Sequence, residues 1–272
     1  MDLLPASREC LVGLAYERHG SGPPLVLLHG VGHRRQAWDP VLGRLTPHRD
    51  VILVDLPGHG ESPPLILAGR PVIDAMLAEV TGLFDELALD RPHVAGNSLG
   101  GLLALEAAAA GRAATVTALS PAGFWRNRTE VRYDRAVFKI MEVAGARMQR
   151  LAPVLSRSTA GRALLYGAIV SRPSRMSPEQ AQGDMAAFLA ATDAMHMVLD
   201  GIDNFTGSIP ANVPVMIAWG ERDRLLFPRQ ARVAKARLPQ ARLVRLPRCG
   251  HVPMTDNPAL VADVLLRGSG RA

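Results

Sequence analysis

Apolar and polar positions along the first half of the chain alternate between two periods. Residues 25–28 form a continuous apolar run that stops at His29-Gly30, and residues 51–56 form a second that stops at Pro57-Gly58. Runs of this length, bounded by turn residues, predict strands covered on both faces. From 72 to 87 the period changes: Val72, Met76, Val80, Leu83, Phe84 and Leu87 fall at helical spacing. Val94-Ala95 ends a short strand, 96–101 makes a glycine-rich turn, and 102–110 is an Ala/Leu-rich helix. Residues 116–119 are the next strand. Strands that alternate with helices in this way predict an α/β protein, with a parallel sheet and helices on both faces.

The alternation then breaks. From 124 to 210 no strand is evident; the segment is rich in Arg, Met and Ala and is punctuated by Pro153, Pro173 and Pro178. After it the alternation resumes, with strands at 215–219 and 241–246 and helices at 230–238 and 258–266. The expected organisation is therefore a core built from 1–123 and 211–272, with 124–210 inserted as a helical lid. A further pair of helices within a larger sheet is the plainer alternative.

Composition narrows the class. The chain has 272 residues, 48% hydrophobic and 21% charged, which suits a folded enzyme-sized domain. Its net charge of +6 is carried almost wholly by arginine. No helix-turn-helix, zinc-finger or RNA-binding pattern accompanies that charge, so nucleic acid is not the expected partner. Cys10 and Cys249 are too few and too far apart for a disulfide framework or a metal site. No apolar stretch is long enough to span a membrane and no secretory leader is evident, so a cytoplasmic protein, monomer or homodimer, is expected.

The chemistry concentrates at strand ends. Gly96-Asn97-Ser98-Leu99-Gly100 fits the G-x-S-x-G elbow and lies between a strand and a helix, where that motif must lie. A sharp turn there exposes the serine hydroxyl and aims the N–H groups of the following helix at the same point. A serine hydroxyl is a weak nucleophile near neutral pH and needs a base. His251, in Cys249-Gly250-His251-Val252-Pro253, is the candidate. The imidazole needs an acid to orient it, and Asp223, just past a strand end, suits that role. An ion pair from Asp223 to Arg222 or Arg224 is the alternative, and Glu221 is a second, weaker candidate acid. The chain order Ser98, Asp223, His251 is the order this kind of sheet requires. Backbone N–H groups of Leu99 and of Val31, in His29-Gly30-Val31-Gly32, are the candidate oxyanion hole. His29 and Ser62 read as structural.

With these stretches in place the chain resembles the α/β-hydrolase superfamily over nearly its whole length. The likeness rests on His29-Gly30-Val31-Gly32, Asp55-Leu56-Pro57-Gly58-His59-Gly60-Glu61-Ser62, the Ser98 elbow with Gly101, Gly220-Glu221-Arg222-Asp223 and Gly250-His251. It implies an eight-stranded, mostly parallel sheet with a helical cap between strands six and seven, and no metal or organic cofactor. It carries the nucleophile to Ser98, the acid to Asp223 and the base to His251. The expected activity is acyl transfer on a small to medium, mainly apolar carboxylic ester. Carbon–carbon bond hydrolases share the Gly-Asn-Ser-x-Gly-Gly pattern but usually carry tryptophan after the base histidine, where this chain has Val252. Carbon–carbon bond hydrolase, thioesterase and lactonase activity on the same residues remain alternatives, as does a receptor or regulator that does not turn over its ligand.

Two features bear on specificity. Arg34 and Arg35, beside the Val31 loop, are candidates to hold a substrate carboxylate, against the plainer possibility of a solvated basic turn. Arg126, Arg128, Arg132, Arg135 and Lys139 make the start of the insertion basic, which would suit anionic lipid or an acidic partner, or only solvent. Met141, Met148, Met176, Met185, Met195 and Met197 suggest an adaptable apolar surface in the same segment.

Overall fold

The computed structural model describes residues 13–270; Cys10 lies outside the described residues. The strands are β1 (Tyr16–Gly20), β2 (Pro24–Leu28), β3 (Asp50–Val54), β4 (His93–Asn97), β5 (Thr115–Leu119), β6 (Val215–Gly220) and β7 (Arg242–Leu246). They form one sheet in the order β1-β3-β2-β4-β5-β6-β7. All neighbours are parallel except β1, which runs antiparallel to β3 with Tyr16 opposite Val54. The described residues thus form seven strands where the resemblance implies eight; residues 1–12, which precede β1, lie outside them.

Side-chain alternation divides the core between the two faces of the sheet. Val26, Leu28, Ile52, Val54, Val94, Val116 and Ile217 pack on one face with α2 (Val72–Glu86), α3 (Leu99–Ala109) and α9 (Gln230–Arg237). Leu25, Leu27, Val51, Leu53, Ala95, Met216 and Ala218 pack on the other with α1 (Asp39–Leu45) and α11 (Pro258–Gly268). Consecutive strand residues point to opposite faces, so a strand buried on both sides reads as an unbroken apolar run. The edge strands β1 and β7 lack such a run: Glu17, Arg18 and His19 stand on one edge, and Arg242 and Arg245 on the other. Charged edges discourage pairing with a further chain.

Between β5 and β6 the chain forms α4 (Arg128–Met148), α5 (Ala152–Leu155), α6 (Thr159–Tyr166), α7 (Pro178–Ala190) and α8 (Thr192–Gly201), with no strand among the described residues there. Pro153 and Pro178 lie in the first turns of α5 and α7, where a missing N–H costs nothing. Asn127, Ser158 and Ser177 cap α4, α6 and α7 by accepting from backbone N–H groups of the first turn. Both ends of the insertion are rooted in the main core, through Phe124 and Trp125 at its start and Phe205 and Ile209 at its end. The basic residues at its start, Arg126, Arg128, Arg132, Arg135 and Lys139, are exposed. No helix of the described residues is long and apolar enough to cross a membrane.

Candidate active site

The parallel strands β2 to β6 end along one edge of the sheet, and their loops meet there. Ser98 follows β4 and is held by its own backbone: its N–H donates to Leu119 at 3.0 Å, and its carbonyl accepts from Leu102 and Ala122. Its φ of 57° and ψ of −116° lie outside the regions that L residues favour. The flanking glycines explain why the turn can be this tight. A Cβ on Gly96 would fall 2.1 Å from the Gly100 carbonyl oxygen, and one on Gly100 would fall 2.1 Å from that of Leu28. The crossing of β4, β2 and α3 leaves no room for a side chain at either position. α3 is apolar apart from Glu106 and largely buried, so its positive N-terminal end lies inside the protein at Ser98.

His251 and Ser98 line one cavity. The His251 Nδ1–H donates to Asp223 Oδ2 at 2.8 Å, and Asp223 Oδ1 accepts from the Leu225 and Leu226 N–H groups, each at 2.9 Å. Asp223 is therefore spoken for by His251 and its own turn, not by Arg222 or Arg224. This tautomer leaves Nε2 of His251 unprotonated. Among the described residues no hydrogen bond joins Ser98 to His251.

Two further side chains place the histidine loop. Asn97 Nδ2 donates to the carbonyl oxygens of Leu119, at 3.0 Å, and His251, at 2.9 Å. Asp256, fully buried in α10 (Pro253–Asp256), accepts from the backbone N–H groups of Gly250, Ser171 and Arg172. The N–H groups of His251 and Val252 both donate to the Ile169 carbonyl. The histidine loop is thereby clasped to the segment after α6. The sequence offered Asn97 only as an elbow residue and gave no signal for Asp256. Asp256→Ala orphans one buried donor, the Gly250 N–H, and two half-buried ones, those of Ser171 and Arg172, each costing up to about 1–3 kcal/mol. A loss of about 3–5 kcal/mol in urea unfolding is expected, together with lower turnover; an unchanged unfolding midpoint would contradict this account.

The Val31 and Leu99 N–H groups have no backbone acceptor among the described residues, and both residues line a chamber with Ser98. His29 fixes the Val31 loop. It is wholly buried, accepts from the Leu56 N–H at Nε2 (3.0 Å) and donates from Nδ1 to the Gly30 carbonyl (2.7 Å). Burial holds its pKa well below the usual histidine value, which keeps the ring neutral. Ser62 bridges the Ala15 N–H and the Asp55 carbonyl, a structural link.

The arginines of this loop are occupied. Arg35 is buried, and its guanidinium donates to Glu17, Asp55 and Glu61, while its N–H donates to Asp55. The expectation that Arg35 meets substrate is thus corrected: three carboxylates take its donors, and it braces the loops after β2 and β3. Arg34 pairs at 3.2 Å with Asp184 of α7. Neither arginine lines the cavities at Ser98. Arg34 instead ties the core loop to the insertion.

Ser98 stands between two small chambers. One, of about 40 Å³, is shared with His251, Gly30 and Val252; it adjoins, through Met141, Ile169 and Phe188, a larger, mainly apolar cavity of about 220 Å³ between the insertion and the core loop at Gly32-His33. The other, of about 30 Å³, is lined by Val31, Leu99, Trp125, Phe138, Leu199 and Asp134. Asp134 projects from the buried face of α4. Trp125 Nε1–H donates to its Oδ2, whereas its Oδ1 is buried without a partner. Burial pushes this carboxyl up to about 7; the Trp125 hydrogen bond and His251 oppose the shift, and Asp223 and Glu130 add to it. Glu130, one turn earlier, is paired with Arg229 and Gln230. Two acids in the buried stripe of an amphipathic helix were the only sign of this site in the sequence.

An open parallel sheet with an antiparallel edge, a serine elbow and loops converging on its strand ends defines the α/β-hydrolase class. The chain belongs to the alpha/beta hydrolase family, whose model matches residues 25–264, and it is an enzyme of the hydrolase class. It is 32% identical over 257 residues to a pimeloyl-[acyl-carrier protein] methyl ester esterase of Xanthomonas campestris pv. campestris, covering 91% of this chain and 95% of that protein. It is 28% identical over 251 residues to the dihydrolipoyllysine-residue acetyltransferase component of an acetoin cleaving system of Pseudomonas putida, covering 90% of this chain. The chain spans only 63% of that second relative's length. Among solved structures, a hydrolase from Pseudomonas aeruginosa superposes with a TM-score of 0.72 at 22% identity, covering 99% of this chain and 100% of that one.

Proposed function

We propose that the protein is a serine hydrolase that cleaves a small to medium, mainly apolar carboxylic ester by acyl transfer. The observation that carries this reading is Ser98, held at φ 57° on the wall of a cavity it shares with the Asp223-oriented His251. Ser98 Oγ attacks the ester carbonyl and gives its proton to His251 Nε2. The Val31 and Leu99 N–H groups hold the oxyanion of the tetrahedral intermediate. As the intermediate collapses, the carbon–oxygen bond breaks and His251 returns the proton to the departing alcohol. Water then attacks the acyl-enzyme by the same route in reverse. In this scheme the five inserted helices act as a lid, the larger apolar cavity accepts part of the substrate, and the Arg34–Asp184 pair latches lid to core. The name of the Xanthomonas relative, a methyl ester esterase, agrees with ester chemistry.

A fluorophosphonate probe and a panel of p-nitrophenyl esters test the proposal together. Stoichiometric labelling on the Ser98 peptide and turnover of at least one ester are expected. Labelling with no turnover across the panel would favour a receptor built on this fold; no labelling would remove Ser98 from the nucleophile's place.

A further inference from the structure

The two chambers at Ser98 differ in what borders them, and the difference assigns the halves of the substrate. In an acyl transfer the leaving alcohol must lie beside the base that protonates it. His251 lines the chamber that continues toward the larger apolar cavity, and it does not line the chamber that holds Asp134. The alcohol half therefore points toward the 220 Å³ cavity, and the acyl half enters the chamber bordered by Val31, Leu99 and Asp134.

That acyl chamber is small and has one unusual wall. At about 30 Å³ it is the smaller of the two chambers at Ser98, the one on the His251 side having about 40 Å³. Its lining is apolar apart from Ser98 and Asp134. Asp134 is 4% exposed, and its Oδ1 has no hydrogen-bond partner. No lysine or arginine lines the chamber among the described residues, in contrast to Glu130, which has Arg229 beside it. A buried carboxyl oxygen left without a partner is costly, and a ligand group that satisfies it gains accordingly. An ammonium would itself lose hydration in so apolar a space; a neutral hydroxyl fits with less penalty.

We infer that Asp134 is a specificity residue, and that the site takes esters of short hydroxy acids with larger apolar alcohols, the acyl hydroxyl bonding to Asp134 Oδ1. This inference rests on the serine-hydrolase proposal. Ser98 and Asp134 line the same small chamber, so a hydroxyl that reaches Asp134 lies only a few bonds from the reacting carbonyl. The carboxyl's elevated pKa is consistent with this role, since a protonated Asp134 both donates to and accepts from a hydroxyl.

The test compares kcat/KM for p-nitrophenyl butyrate with that for each enantiomer of p-nitrophenyl 3-hydroxybutyrate. One enantiomer is expected to exceed the plain ester by about 10-fold, the worth of a buried hydrogen bond. The other is expected to gain little, because the partner oxygen is fixed on one wall. In Asp134→Leu the ratio of the preferred hydroxyester to the plain ester should fall to about one or below. In Asp134→Asn, which keeps the shape, the ratio should fall only in part, because the amide still offers a group to the hydroxyl. Each ratio is taken within one protein, so a change in folded fraction cancels. Equal rates for both enantiomers and the plain ester in the parent protein would overturn the assignment, as would a ratio unchanged in Asp134→Leu. If no ester is turned over and the fluorophosphonate leaves Ser98 unlabelled, the serine-hydrolase proposal itself falls; turnover without preference removes only the role of Asp134.

Discussion

Purified Ser98→Ala protein is expected to hydrolyse p-nitrophenyl butyrate at least about 10⁴-fold more slowly than the parent, with the same urea unfolding midpoint. The loss corresponds to about 5.4 kcal/mol of transition-state stabilisation. Removing the proposed nucleophile leaves the proposed oxyanion donors and the cavity, so a residual acceleration over water should survive. The stability half of the expectation follows from the structure. The Ser98 backbone is fixed by hydrogen bonds from and to main-chain groups, which alanine keeps. Alanine also keeps the φ of 57° and its strain. Glycine does not carry that strain, so Ser98→Gly should be as inactive as alanine but more stable, by about 1 kcal/mol. The pair separates the two functions of the position. Parental turnover in either variant would remove Ser98 from the mechanism. A large loss of stability in Ser98→Ala would mean that the activity loss reports unfolding.

The contrast between what the chain displayed and what it hid has a physical basis. β2 to β6 were legible because strands buried on both faces must be apolar along their length. The elbow was legible because Gly96 and Gly100 are forced by backbone crossings that admit no Cβ. β1 was not, because an edge strand that faces solvent carries Glu17, Arg18 and His19 and has no apolar run. α1 is hidden for a related reason: its seven residues make only about two turns, and only Val41 and Leu45 are buried in it. Pro153 and Pro178 interrupt the apolar pattern, yet each opens a helix, since it lies in that helix's first turn.

The site shows the same division. The proposed catalytic residues sit in short motifs whose spacing the strand-to-loop geometry dictates. Residues that hold those motifs in place act through long-range contacts that no local spacing encodes. Asp256 reaches Ser171 and Arg172 across 85 and 84 positions. Arg35 draws together Glu17 of β1 and Asp55 and Glu61 of the loop after β3. In the sequence Arg35 was simply a cation near an oxyanion loop; only burial among carboxylates identifies it as a brace. Asp134 is the intermediate case. Glu130 and Asp134 share one face of α4 at i,i+4 spacing, but which of the two has a cation beside it depends on Arg229, a residue that follows the insertion by sequence.

Asp223→Asn should lower kcat by about 10³ to 10⁴-fold while leaving the fold intact, and this structure gives a specific reason. Asp223 Oδ1 accepts two backbone N–H groups, from Leu225 and Leu226, at 2.9 Å. An asparagine at this position must keep its amide oxygen there, because an NH₂ would face two donors. The amide NH₂ is then forced toward His251 Nδ1, where Oδ2 now accepts. Nδ1 must become the acceptor, so the ring proton moves to Nε2, the nitrogen that has to take the proton of Ser98. The base is present, well placed and in the wrong tautomer. KM should change little, since Asp223 lines neither chamber at Ser98. Asp223→Ala distinguishes this account from a simple loss of charge. It also strands the Leu225 and Leu226 donors, so it should cost stability, by about 2–4 kcal/mol, where asparagine does not. If Asp223→Asn kept kcat within about threefold of the parent, orientation of His251 by Asp223 would not be part of the reaction. If asparagine and alanine lost stability equally, the two backbone donors would not be what fixes the amide, and the tautomer argument would fail with them.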